Sequence, residues 1–162
     1  MESVCPGCGL RMPRREGLTG GGYYNTTPEC WSVYTEVLEK EYSNAVLFGQ
    51  VHQLTVDTYA VHHAGGPHPD KSVDVHLSGL HLVIERGVAP PTVPQRLQQL
   101  ASRTKSWPHF PPPAMPQSPT VFDVALADDP LEHVARVREW SAAVWSAWAP
   151  YHRAVAELVG DE

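Results

Sequence analysis

The sequence predicts an all-α fold, an irregular bundle of about four main helices with an N-terminal loop and a Pro-rich strap. Apolar residues recur at helical spacing in several stretches, each bounded by capping residues, Gly or Pro. The linkers between these stretches stay short as far as residue 103. Beyond it, WPHFPPPAMPQSP is too dense in Pro for regular structure, and one further helical pattern closes the chain.

Residues 1–27 show no helical period. They hold CPGC, the run Gly20-Gly21-Gly22 and the pair Tyr23-Tyr24. This reads as an ordered loop that closes on something, since a Gly-rich tract without an anchor is mobile.

Helices are expected to fill residues 28–103. In TTPECWSVYTEVLEKEYS, Thr27 suits an N-cap, Pro28 the first helical position and Glu29 the positive end of the dipole. Trp31, Val33, Tyr34, Val37 and Leu38 form the apolar stripe of a helix over 28–42. After the short break Ser43-Asn44, a second helix spans 45–63 and stops at AGGPHP. A third spans 70–86, with Asp70 as its cap and Gly87 as its stop. TVPQRLQQLASR makes a short amphipathic helix over 92–103, capped by Thr92.

The Pro-rich strap is expected over 104–128, wrapping the surface. Within it TVFDVALA alternates as a short strand or extended chain would. The last helix spans 129–159. Asp129 and Glu132 form a capping-box-like pair around Pro130, and Val134, Val137, Trp140, Val144, Trp148 and Val155 recur at helical spacing. Pro150 predicts a kink or break near Ala149. No internal repeat is present, and the chain is expected to form one domain over 1–162.

Composition excludes some functions. An apolar fraction of 42% with 19% charged residues is that of a globular chain rather than a disordered one. The net charge of -6 and the absence of any Lys/Arg run beyond Arg11, Arg14 and Arg15 argue against nucleic acid as a partner. No apolar run reaches the length of a membrane span, and the N-terminus has no signal-peptide pattern. The expected location is the cytoplasm. There, three cysteines are expected as thiols or metal ligands rather than as a disulfide framework.

Cys5 and Cys8, separated by Pro6-Gly7, have the spacing of a zinc knuckle. Two thiolates so spaced can turn their sulfurs onto one tetrahedral ion. A redox pair is the alternative, but it belongs at a helix start after a strand, and neither pattern flanks it here. A knuckle supplies half a site. Cys30, in the first turn of the first helix, is the third candidate ligand; its other reading is a buried small hydrophobe. The tight break after residue 42 makes the first two helices antiparallel, so the end of the second returns to the start of the first. His62 and His63 lie there, with Asp57 close by and His76 just inside the third helix. His52 shares a helical face with Tyr59 and His63. The candidate metal ligands are therefore Cys5, Cys8, Cys30 and His63, the cofactor zinc, and the candidate catalytic groups His52, Asp57 and His76. His81, His109, His133 and His152 read as surface or core imidazoles, and Trp140, Trp145 and Trp148 as core.

CPGCGLRMP, YNTTPECW, HQLTVDTYAVHH, the HL of VDVHLSGL and EHVARVREWSAAVWSAWAPYH together resemble a family of small bacterial proteins of unknown function. The likeness covers nearly the whole chain. It implies the grouping of Cys5, Cys8, Cys30, His52, Asp57, His63 and His76 and leaves the reaction open. Three readings follow. The chain is a zinc-binding protein whose ion pins the N-terminal segment or floors a polar His/Asp pocket. Alternatively it is a small metal-dependent hydrolase or lyase acting on a small molecule at an open zinc site. The third reading is an accessory module that presents the strap and the Trp helix to a protein partner.

Overall fold

Thr27 opens the first helix. Its hydroxyl oxygen accepts the amide of Cys30, Pro28 takes the first helical position, and α1 runs Pro28–Tyr42. Asn44 caps α2 (Ala45–His62) by accepting the amide of Leu47 at 3.0 Å. The break at Ser43 and Asn44 turns α2 back along α1. A computed structural model describes residues 1–160. In it α2 is the central element, packed on α1, α3 (Asp70–Leu80) and α6 (Pro130–Ala147). Its buried residues include Leu47, Val51, Leu54, Thr58, Tyr59, Ala60 and Val61, which cover more than one face, as a central helix requires.

The architecture is all-α with a Cys-rich N-terminal segment, but the expected count of about four helices is too low. The described residues form seven: α1, α2, α3, α4 (Val93–Arg103), α5 (Val121–Ala125), α6 and α7 (His152–Val159). The short helix expected over 92–103 is present as α4 beside the four main ones, which leaves two additions, and Pro150 accounts for one. The chain leaves α6 at Trp148, makes a 3-10 turn over Ala149–Tyr151 and restarts as α7. The second addition is α5, where a strand or extended chain was expected. Thr120 accepts the amide of Phe122 while Asp123 accepts the amide of Thr120 at 2.7 Å. That capping box outweighs a short alternation, and α5 packs on α1 and α6.

Four further details depart from expectation. The third helix is α only to Leu80 and continues as a π-helix over His81–Glu85. Its N-cap is Pro69; Asp70 is the first helical residue and accepts a hydrogen bond from His109 Nδ1 at 2.7 Å. Thr92 stands at the N-cap position of α4, as expected, but its side chain makes no capping bond. It ends a 3-10 turn, Pro90–Thr92, and donates its hydroxyl to Ala89 O, because Pro90 and Pro91 already set the backbone before α4. The N-terminal loop contains a small hairpin, β1 (Glu2–Val4) antiparallel to β2 (Arg11–Pro13). Strands of three residues are too short to reveal a period.

Trp140 and Trp148 are fully buried and fill the centre with Tyr59, Leu77, Leu80 and Val137. Residues 104–120 have no helix or strand. They are tied to the bundle by the buried Phe110, whose ring lies 5.0 Å from Tyr151, and by the Tyr151 hydroxyl, which donates to Pro111 O at 2.8 Å. No helix among the described residues is long and apolar enough to cross a membrane.

Candidate metal centre and neighbouring histidines

The turn between β1 and β2 carries Cys5 and Cys8. It is closed by Cys5 N–H donating to Leu10 O and Gly9 N–H donating to Cys5 O, both at 2.9 Å. Gly7 lets this turn sit against the end of α2: a Cβ there would lie 2.6 Å from Asn25 O and 2.9 Å from His63 Cα. Asn25 reinforces the contact. Its backbone amide donates to His63 O at 3.0 Å and its side chain to Ala64 O at 3.1 Å. Cys30 comes from the first turn of α1, and His63 is the C-cap of α2.

The fold brings Cys5, Cys8, Cys30 and His63 together. All four are buried, and their ligand atoms lie within 4.8 Å of one another. The cysteines are free thiols. Cys8 Sγ is 3.8 Å from Cys30 Sγ, and Cys30 Sγ is 3.4 Å from His63 Nε2. A tetrahedral ion with ~2.3 Å bonds to sulfur and ~2.0 Å bonds to nitrogen sets two sulfurs roughly 3.8 Å apart and sulfur roughly 3.6 Å from nitrogen. The donor set has the chemistry and the spacing to hold a metal ion.

The surrounding groups orient it. His63 Nδ1–H donates to Tyr59 O at 2.6 Å, which fixes the ring so that Nε2 faces Cys30. The Tyr59 hydroxyl donates to Cys30 Sγ at 3.4 Å, and Thr26 Oγ1 is 2.8 Å from the same hydroxyl and 3.5 Å from Cys5 Sγ. The Tyr59 ring is sandwiched, 3.9 Å from Tyr34 and 3.8 Å from His63.

Three thiols this close cannot all ionise alone. The Cys30 and Cys8 thiols hold Cys5 far below the ordinary thiol range by hydrogen bonding to it, whereas Cys30 and Cys5 push Cys8 far above it. Burial works to lower His63, but Cys30 and Cys5 together push it up to about 9. Burial, with the charge of Cys30, raises Tyr59. A bound cation would compensate the thiolate charge that the protein alone must spread over protons.

His62 takes no part in this cluster. Trp140 Nε1–H donates to His62 Nδ1 at 3.0 Å, so His62 Nε2–H donates to Pro116 O at 2.8 Å. Burial pushes His62 down to about 4, and it stays a neutral link between α6 and the Pro-rich segment.

The other three candidates divide. Asp57 is fully buried on α2, and His76 Nδ1–H donates to its Oδ1 at 2.8 Å. The Gln53 amide reaches both carboxylate oxygens at 3.0 Å. Burial raises Asp57 above the usual carboxylate range, opposed by hydrogen bonds from His76 and Gln53. His52 does not join them. It bonds Glu41 Oε1 at 2.9 Å, while the Thr55 hydroxyl and His133 Nε2 reach Glu41 Oε2 at 2.6 and 2.8 Å. The expected trio is therefore a pair, because a buried acid near the end of α1 engages His52.

Residues 3–149 match the model of a family of unknown function (DUF5946). The chain belongs to that family. The matched span includes the four clustered Cys and His residues, Asp57 and His76, and it ends before α7. No curated protein and no solved structure matches the chain.

Sequence reasoning missed Glu41, Thr26 and Asn25. Glu41 had a faint signal, a Glu in the last turn of α1 close to the break, where an acid opposes the helix dipole. Thr26 and Asn25 stand within YNTTPECW, but polar loop residues are common and only the folded chain shows what they touch.

Proposed function

We propose that this DUF5946 member binds one zinc ion through Cys5, Cys8, Cys30 and His63, and that the ion is a closed structural site fixing residues 1–30 to the bundle. The observation that carries this reading is the meeting of four buried ligand atoms within 4.8 Å. Four protein donors complete a tetrahedral shell, whereas a catalytic zinc keeps one position for water. A thiolate-rich tetrahedral set favours zinc over the hard divalent cations. The hairpin that carries Cys5 and Cys8 has strands of only three residues each, too short to hold its own shape firmly. Ion binding then doubles as folding energy for this segment. Two observations favour the closed reading over the open one: a fourth donor atom lies with the other three, and His52 is engaged by Glu41.

Elemental analysis with thiol titration tests the proposal. About one zinc per chain, with thiols that react only after chelation, is expected. Metal-free protein whose three thiols titrate without denaturant would refute it.

A further inference from the structure

A groove of about 400 Å³ runs between α3 and α4, a volume suited to a small organic ligand. Its body is apolar, formed by Val75, Leu97, Ala101 and the ring of Tyr23. Its polar groups are few: His76 and Ser72, with Lys71 and Gln98 beside them. None of the four clustered Cys and His residues lines it.

His76 connects the groove to the buried Asp57. Nδ1–H is donated to the carboxylate, and Nε2 remains as the uncommitted ring nitrogen of a side chain that is 19% exposed. Keeping Asp57 there is costly. A fully buried carboxylate needs partners, and Gly79 of α3 must lack a Cβ because one would stand 2.1 Å from Asp57 Oδ2. An aliphatic contact between α2 and α3 would need neither. An imidazole held in one tautomer by a carboxylate, at the edge of an apolar groove, is the base-and-orienter arrangement of acyl-hydrolytic sites.

We propose that this groove is a hydrolytic site for small esters with a short apolar acyl chain, with His76 as general base and Asp57 as its positioning residue. The acyl chain lies against Val75, Leu97 and Ala101. His76 Nε2 takes a proton from water as the water oxygen bonds to the acyl carbon, and the carbonyl π electrons move onto oxygen. Lys71 and Gln98, which line the same groove, are the side chains that can donate to that oxyanion. The tetrahedral intermediate then re-forms its C=O and breaks the C–O bond to the alcohol, which takes the proton back from Nε2. Ester and water become acid and alcohol, with no redox partner.

The test is hydrolysis of p-nitrophenyl butyrate by the full chain as purified, with metal content read on the same preparations so that this reading and the zinc reading fail separately. Wild type is expected to exceed an equal concentration of free imidazole. His76→Gln should lower kcat by on the order of 100-fold. Asp57→Asn should lower kcat with KM unchanged, and Ala101→Trp, which fills the groove from α4, should raise KM. His109→Gln, at an exposed imidazole bonded to Asp70, should match wild type. A wild-type rate no greater than that of imidazole overturns the proposal. So does a His76→Gln rate equal to wild type, a fall in His109→Gln as large as in His76→Gln, or an Ala101→Trp protein with unaltered KM.

Discussion

Asp57 lies directly beneath Gly79. A Cβ at position 79 would stand 2.1 Å from Asp57 Oδ2 and 2.6 Å from its Cγ, so α2 and α3 meet here only because one side chain is absent. In an ordinary helix interior Gly→Ala gains up to ~1 kcal/mol. At this position Gly79→Ala should instead lose about 1–3 kcal/mol through overpacking. Urea unfolding of the two proteins decides it; a stabilised variant would mean that the helices separate at no cost.

If the proposed ion staples residues 1–30 to the bundle, removing it should free that segment before the rest. Chelation, or Cys8→Ser, is expected to open residues 1–30 to protease while far-UV circular dichroism keeps its helical form, with an earlier thermal transition. Cys8 lies at 1% exposure beside Cys30, so the serine replaces one buried thiol with little change of shape. An unchanged cleavage pattern after chelation would deny the ion its stapling role.

Asp74 on α3 is buried, and neither of its carboxylate oxygens has a hydrogen-bond partner. Burial, with the charge of Asp70 added, pushes it up to about 7. The unfolded chain releases this proton near pH ~3.9. Between those values the folded form holds a proton that the unfolded form has lost, so stability falls as pH rises from about 4 to about 7 and then levels. Asp74→Asn should therefore be more stable than the parent at pH 8, by on the order of 1–3 kcal/mol, with the gap closing toward pH 4. Denaturant titrations at several pH values measure it, and a gap independent of pH would contradict the assignment.

Glu41 behaves in the opposite sense. Burial alone would raise it, but hydrogen bonds from His133, His52 and Thr55 together hold it below the ordinary carboxylate range. Its contribution is present above the unfolded value near pH ~4.3 and is lost as pH falls through the lower folded value. Glu41→Ala should cost about 3 kcal/mol at neutral pH by leaving His133 and Thr55 buried without their acceptor. Acid unfolding followed by tryptophan fluorescence should show Glu41→Gln without the limb that the parent loses at low pH.

The long helices were legible because their signals are local. Thr27, Pro28 and Glu29 mark the start of α1, and a two-residue break can only fold α2 back along it. That return is enough to place His63 near Cys30. The rest depends on rotation and on distant chain. A helix turns about 100° per residue, so spacing alone could not tell whether His52 faces Asp57 or Glu41. It could not decide between His62 and His63 either, since the decision lies with Trp140 and Pro116, 78 and 54 positions away from His62. The short hairpin and α5 fall below the length at which a period can be read, and the groove exists only once α4 docks on α3.

His62 and His63 place two long closures on a single helical turn. His63 reaches back 33 positions to Cys30, while His62 reaches forward to Pro116 and Trp140. Closing a loop of a few tens of residues costs chain entropy that grows only with the logarithm of its length. The larger saving comes from sharing: once one imidazole has fixed the end of α2, the other begins from a point already held in space. The two ends of the chain are thus cooperative through adjacent residues, and loosening either closure weakens the entropic advantage of the other.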